Sequence, residues 1–138
     1  MVHVMVMGHG GLPAGIESAS AMILGAQENF HIVSLLPEDT PEAFTERVEG
    51  VLGTIGPDEE VLFLVDVKGG TPSNVAARFV NSRRRCVTGA NLPMVLDVLL
   101  NRSSGATVSE LVKGCVDAGS AGVLDFSAEI DEMRSKMG

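Results

Sequence analysis

Apolar positions along this chain recur with two alternating periods. Val2, Val4 and Val6 share one side of a period-2 run ending at Met7, which predicts a strand. Pro13 then suits the first turn of a predicted helix whose Ile16, Ala19, Ile23 and Ala26 repeat at helical spacing, with Gly25 near its end. His31 to Leu36 reads as a second strand. Thr40-Pro41 supplies a cap and first turn for a helix with Phe44, Val48, Val51, Leu52 and Ile55 on one side, stopped by Gly56-Pro57. Val61 to Val65 is unbroken apolar sequence, as a parallel strand covered on both faces requires.

Thr71-Pro72 repeats the cap-and-proline signature and opens a short helix to about Val80. Arg84 to Gly89 supplies a fourth strand, and Asn91 or Leu92 begins another helix with Leu92, Leu96, Leu99 and Leu100 apolar. Thr107 and Glu110 form a capping box for a helix near residues 107–119. Ala121 to Phe126 is the candidate for a fifth short strand, and the rest is a short helix or a frayed tail. Such alternation predicts one α/β domain over residues 1–138: an open parallel sheet with helices on both faces. Right-handed crossovers and a reversal between strands 1 and 3 give the order 2-1-3-4, with a crevice at the carboxyl ends.

Composition narrows the function classes. The chain has 138 residues, 45% hydrophobic and 20% charged, enough to bury a core. Its formal charge of −8 repels nucleic acid and anionic membrane, so neither is expected as a partner. The apolar runs are of strand length, and no secretory leader pattern opens the sequence, so a cytoplasmic chain is expected. Cys86 and Cys115 are far apart and lack ligand spacing; two reduced, packed thiols are expected, with no metal site and no cofactor.

The candidate chemistry sits at the crevice. His9 lies among glycines just after strand 1, in Met7-Gly8-His9-Gly10-Gly11, and Asp66 closes strand 3. The predicted topology brings these two strand ends together. A neutral imidazole is a nucleophile near pH 7, and a carboxylate on its other nitrogen orients the ring and stabilises the developing positive charge. Gly69 to Asn74 adds an anion site at a helix start, built from the amides of Ser73 and Asn74 and the hydroxyl of Thr71 or Ser73. Gly10 completes the candidate phosphoryl-binding set. His3 and His31 are assigned to core packing or solvated loops, and Arg83-Arg84-Arg85 to a solvated face away from the crevice.

Competing motifs fail on specific residues. Gly8-His9-Gly10 opens like a dinucleotide fingerprint, but Pro13 stands at its third glycine and no acidic residue closes strand 2. No GxxxxGK[ST] motif exists. A phosphorylated-aspartate receiver would need acidic magnesium ligands after strand 1, where this chain has Gly-His-Gly-Gly.

In their order along the chain, the motifs Val6-Met7-Gly8-His9-Gly10, Leu24-Gly25-Ala26-Gln27-Glu28-Asn29, Leu62-Phe63-Leu64-Val65-Asp66, Gly69-Gly70-Thr71-Pro72-Ser73-Asn74 and Gly89-Ala90-Asn91-Leu92-Pro93-Met94 resemble the IIA component of mannose-type sugar phosphotransferase systems. The resemblance implies that His9 accepts a phosphoryl group on Nε2 from phospho-HPr and passes it to a IIB component on a separate chain. Through IIB it would serve the IIC and IID membrane components. Asp66 would hold Nδ1, and the Thr71 hydroxyl would bond the phosphoryl group. The resemblance also implies a homodimer that exchanges a C-terminal strand, antiparallel at the sheet edge, with Ala121 to Phe126 as the candidate. Val67-Lys68 and Ser73 stand where relatives carry aromatic residues, which bears on the docking surface. Two alternatives remain open at this point: the phosphohistidine subunit of a phosphotransferase-dependent dihydroxyacetone kinase, and a non-catalytic regulatory binding module.

Overall fold

The computed structural model describes residues 1–138. Its elements follow the alternation: β1 (His3–His9), α1 (Leu12–Leu24), β2 (Phe30–Leu35), α2 (Pro41–Leu52), β3 (Val61–Val65), α3 (Thr71–Phe79), β4 (Arg84–Thr88), α4 (Leu92–Asn101), a 3-10 turn (Arg102–Ser104), α5 (Val108–Ala121) and α6 (Phe126–Lys136). The strands form one parallel sheet in the order β2-β1-β3-β4.

The strand period divides the core into two layers. Val4 and Val6 of β1 join Leu62 and Leu64 of β3 under α1, α4 and α5, through Ile16, Val95, Val98, Leu111 and Cys115. Met5 and Met7 face the other way and pack with Phe63 and Val65 against Phe44 and Val48 of α2 and Val75 and Ala76 of α3. Phe44 and Phe63 are fully buried; burying such a side chain contributes roughly 1.5–3 kcal/mol. All five residues of β3 are buried, as its unbroken apolar run predicts.

Local chemistry sets most element ends as expected. Thr40 and Asn91 cap α2 and α4 through their side chains, and Thr107 with Glu110 makes the capping box of α5. Three expectations need correction. Helix α2 stops at Leu52, before Gly56-Pro57, and Ile55 reaches the core from the turn that follows. The buried face of α1 runs through Pro13, Ile16 and Ser20, with the Ser20 hydroxyl donating to the Glu17 carbonyl at 3.0 Å. Ile23 is therefore exposed, and Ala26 lies beyond the helix.

The third concerns Ala121 to Phe126, which is not a strand here. Helix α5 continues through Ala121, and Asp125 caps α6 by accepting the Ala128 amide at 3.1 Å. Val123, Leu124 and Phe126 are exposed, and α6 buries no residue.

The Gln27-Glu28-Asn29 motif has a structural explanation. The buried Arg102 guanidinium donates to the carbonyls of Val2, Glu28 and Asn29 and to Gln27 Oε1. One side chain thereby ties the end of α4 to the starts of β1 and β2. Cys86 and Cys115 are free thiols.

Candidate active site

Strand register builds the site. In the β1–β3 pair Met7 lies opposite Val65, and the Asp66 amide continues the ladder to the Met7 carbonyl at 3.1 Å. His9 thus ends β1 beside Asp66. The Asp66 carboxylate accepts from the His9 ring: Nδ1 lies 2.7 Å from Oδ2. The same oxygen accepts the His9 backbone amide at 2.9 Å, and Oδ1 accepts the Val67 amide at 2.8 Å. A carboxylate this well supplied with donors is held in one orientation.

Room for that carboxylate depends on Gly8, because a methyl there would lie 3.0 Å from Asp66 Cγ. Burial pushes the Asp66 carboxyl up, but the His9 amide, the His9 ring and the Val67 amide together outweigh it. Its pKa therefore lies below the ordinary aspartate value, and the group is an anion at neutral pH. An anionic Asp66 requires the proton on Nδ1, which leaves the lone pair of Nε2 free. The His9 side chain is 51% exposed, whereas that of Asp66 is 8% exposed.

Nε2 faces the start of α3. A methyl at Gly70 would come within 3.0 Å of His9 Cε1 and 3.3 Å of Nε2, so the imidazole rests almost on the Gly70 backbone. Gly70, not Thr71, is the cap residue of α3, and no side chain caps it. With Pro72 lacking a hydrogen, the Thr71 and Ser73 amides precede any carbonyl the helix can offer them. They present the positive end of the helix dipole to whatever sits on Nε2.

The structure brings His9, Asp66 and the α3 start together, and it revises the rest of the predicted set. Asn74 contributes no free amide, because its N–H donates to the Gly70 carbonyl at 3.0 Å. The Gly10 amide is likewise committed, to the Leu35 carbonyl at 2.8 Å; the glycine's φ of +56° serves the turn into α1. Ser73 is buried and its hydroxyl hydrogen goes to the Gly70 carbonyl at 3.0 Å, so it has no donor left for an oxyanion and does not line the rim. Thr71 remains as the hydroxyl at the helix start. Val67 and Lys68 are exposed next to Asp66. Sequence reasoning missed the steric roles of Gly8 and Gly70; the signal was a glycine directly beside His9 in the first case and one directly before the predicted helix start in the second.

Comparison with known proteins gives this geometry a family. Residues 3–116 match the family described as the phosphotransferase system fructose IIA component, of the mannose type. The chain belongs to the mannose-type IIA family. It is 38% identical to the fructose-specific EIIA component of Bacillus subtilis, over 72% of this chain and 69% of that one. It is 30% identical to the mannose-specific EIIAB component of Escherichia coli over 93% of its own length, but spans only 40% of that longer relative. Among solved structures, EIIA from Streptococcus agalactiae superimposes with a TM-score of 0.81 at 28% identity, covering 93% of this chain and 99% of the other.

As a mannose-type IIA component, the protein is a phosphotransferase component of sugar uptake. Every relative named above is described as a component of a phosphotransferase system, so the dihydroxyacetone kinase reading gains no support from them. No helix is long and apolar enough to cross a membrane.

Proposed function

We propose that this IIA chain carries its phosphoryl group on His9 Nε2, taking it from phospho-HPr and giving it to a IIB component. One observation carries the reading. Asp66 engages Nδ1 at 2.7 Å, while Nε2 has no hydrogen-bond partner and lies near the start of α3 on a half-exposed ring. In the forward step the Nε2 lone pair forms a bond to phosphorus as the bond from phosphorus to the HPr histidine breaks. The Nδ1 proton stays in place, and Asp66 stabilises the charge on the ring. The Thr71 hydroxyl and the Thr71 and Ser73 amides receive the phosphoryl oxygens. Transfer onward reverses these steps towards IIB, which serves the IIC and IID membrane components. No cofactor takes part.

The same reading makes the protein cytoplasmic, a single IIA domain over residues 1–138, and a homodimer. Exposed Val123, Leu124 and Phe126 form an apolar patch suited to burial against a second copy. Light scattering of the purified chain tests that point, and a monomer at micromolar concentration would remove it.

The direct test of the carrier is incubation with phosphoenolpyruvate, enzyme I and HPr. Acid-labile, alkali-stable label on the wild type, passed on when IIB is added, is the expected result. An intact protein that takes no label would leave a binding module as the better account.

A further inference from the structure

Gly69 and Gly70 form the turn that leads from β3 into α3, and His9 rests on it. Gly69 has φ +96°, a conformation open to glycine at little cost. Two glycines have no side chains with which to hold their own shape. Ser73 supplies the hold. Its buried Oγ accepts the Gly69 amide at 2.8 Å and donates to the Gly70 carbonyl at 3.0 Å. One hydroxyl therefore grips both glycines from the first turn of the helix they precede.

The direction of that grip matters. The Gly70 carbonyl accepts from Ser73 Oγ and also from the Asn74 amide at 3.0 Å, so it is drawn back along α3. Across a trans peptide the carbonyl and the next N–H point opposite ways. Drawing the Gly70 carbonyl into the helix turns the Thr71 N–H outward from the helix start. Gly70 is also the residue whose backbone lies under His9 Nε2.

We infer that Ser73 is a positioning residue for phosphoryl transfer at His9. Its hydroxyl sets the Gly69–Gly70 turn so that the Thr71 amide meets the phosphoryl oxygens over a fixed floor. The Ser73 hydroxyl makes no contact with the phosphoryl group and acts through the turn alone, whatever the Ser73 amide donates. The inference rests on the carrier reading and names a part of the site that reading does not assign.

The test compares wild type, Ser73→Ala and Ser73→Thr in single-turnover transfer from phospho-HPr at several donor concentrations. Ser73→Ala should lower the limiting rate about tenfold, through misplacement of donors, with the half-saturating concentration unchanged. Ser73→Thr, which keeps the hydroxyl, should restore the rate to within about twofold. Amide spectra should show Ser73→Ala shifts centred on Gly69, Gly70 and Thr71.

If the threonine methyl disturbs the native spectrum, Ser73→Cys takes its place and should transfer at a rate between serine and alanine. A wild-type rate in Ser73→Ala would overturn the inference. So would a loss confined to half-saturation, or one that no folded hydroxyl or thiol variant relieves. A wild type that takes no label sinks the carrier reading instead, and the amide spectra then decide whether Ser73 holds the turn.

Discussion

The sheet carries a histidine–carboxylate pair at each end, and the two pairs are built in opposite senses. At the carboxyl end the His9 side chain is 51% exposed and Asp66 is 8% exposed. At the amino end His3 is 9% exposed and its partner Glu59 is 50% exposed, with 3.4 Å between them. Occupancy differs as well. Both ring nitrogens of His3 are engaged, Nε2 by Glu59 and Nδ1 by His31 Nε2 at 3.0 Å. His9 has one nitrogen engaged and one free. The amino-end pair is thus part of a staple across β2, β1 and the turn before β3, whereas the carboxyl-end pair leaves its imidazole open with the carboxylate tucked beneath it. What separates the two histidines is which member of the pair is buried and whether a lone pair is left over.

Exchanging the roles should therefore fail in a graded way. The largest effect belongs to His9→Ala, which removes the only free imidazole nitrogen at the α3 start; label from phospho-HPr should fall to background. His3→Gln should still be labelled at close to the wild-type rate, and a large loss there would dissolve the contrast. Next comes Asp66→Asn. The amide can still accept one backbone N–H, so the fold should survive, while the ring loses its anionic partner. Transfer should slow by about 10²-fold, within the range for general acid–base groups. Rapid-quench measurement of the phosphorylated protein checks it, and an unaltered rate would remove Asp66 from the mechanism.

The contrast also explains what was legible in the sequence. Alternating periods placed every strand of the sheet to within a residue or two, because each strand is buried on both faces or edges a buried one. Topology alone then put His9 beside Asp66. The anion site was legible as a helix start but not in its details. Moving the cap from Thr71 to Gly70 changes which amides are committed, and Asn74 drops out. A one-residue uncertainty at a helix end is ordinary for sequence patterns, yet it decides which donors remain.

Other features depended on distance in the chain. Arg102 reaches carbonyls 73, 74 and 100 residues away, which no local pattern reveals. The His3–His31 pair needs the register that sets Met5 against His31. The segment Ala121 to Phe126 misled because its apolar residues fit a strand, but α5 and the Asp125 cap take its ends. A strand there needs an edge to pair with, and this chain leaves the segment exposed.

Gly70→Ala sharpens the comparison at the carboxyl end. Gly70 has φ −90° and ψ 175°, which alanine adopts without strain. The new methyl would meet little except the His9 ring, at 3.0 Å from Cε1. Stability should change little. The transfer rate should fall about tenfold as the ring is lifted off the helix start. Equal losses in stability and rate would mean that the glycine serves the fold rather than the ring.

The smallest effect lies at the amino end and appears only in stability. Burial lowers the His31 pKa from 6.5, and the neighbouring His3 and the Arg102 guanidinium lower it further. Glu59 faces the pair through His3 and has its own pKa lowered, first by the Gly56 amide and then by His3. A depressed His31 pKa means that the unfolded chain binds more protons than the folded one below about pH 6.5. Stability is then present above that value and drains away as pH falls through the lower, folded value. Two protons between Nδ1 of His3 and Nε2 of His31 would also face each other across 3.0 Å, which breaks the staple. Denaturation midpoints should decline from pH 7.5 to pH 5.5, and His31→Gln should flatten the decline while His9→Ala leaves it in place. If His9→Ala flattens it instead, the acid sensitivity lies at the carboxyl end and the staple reading of His3 and His31 fails.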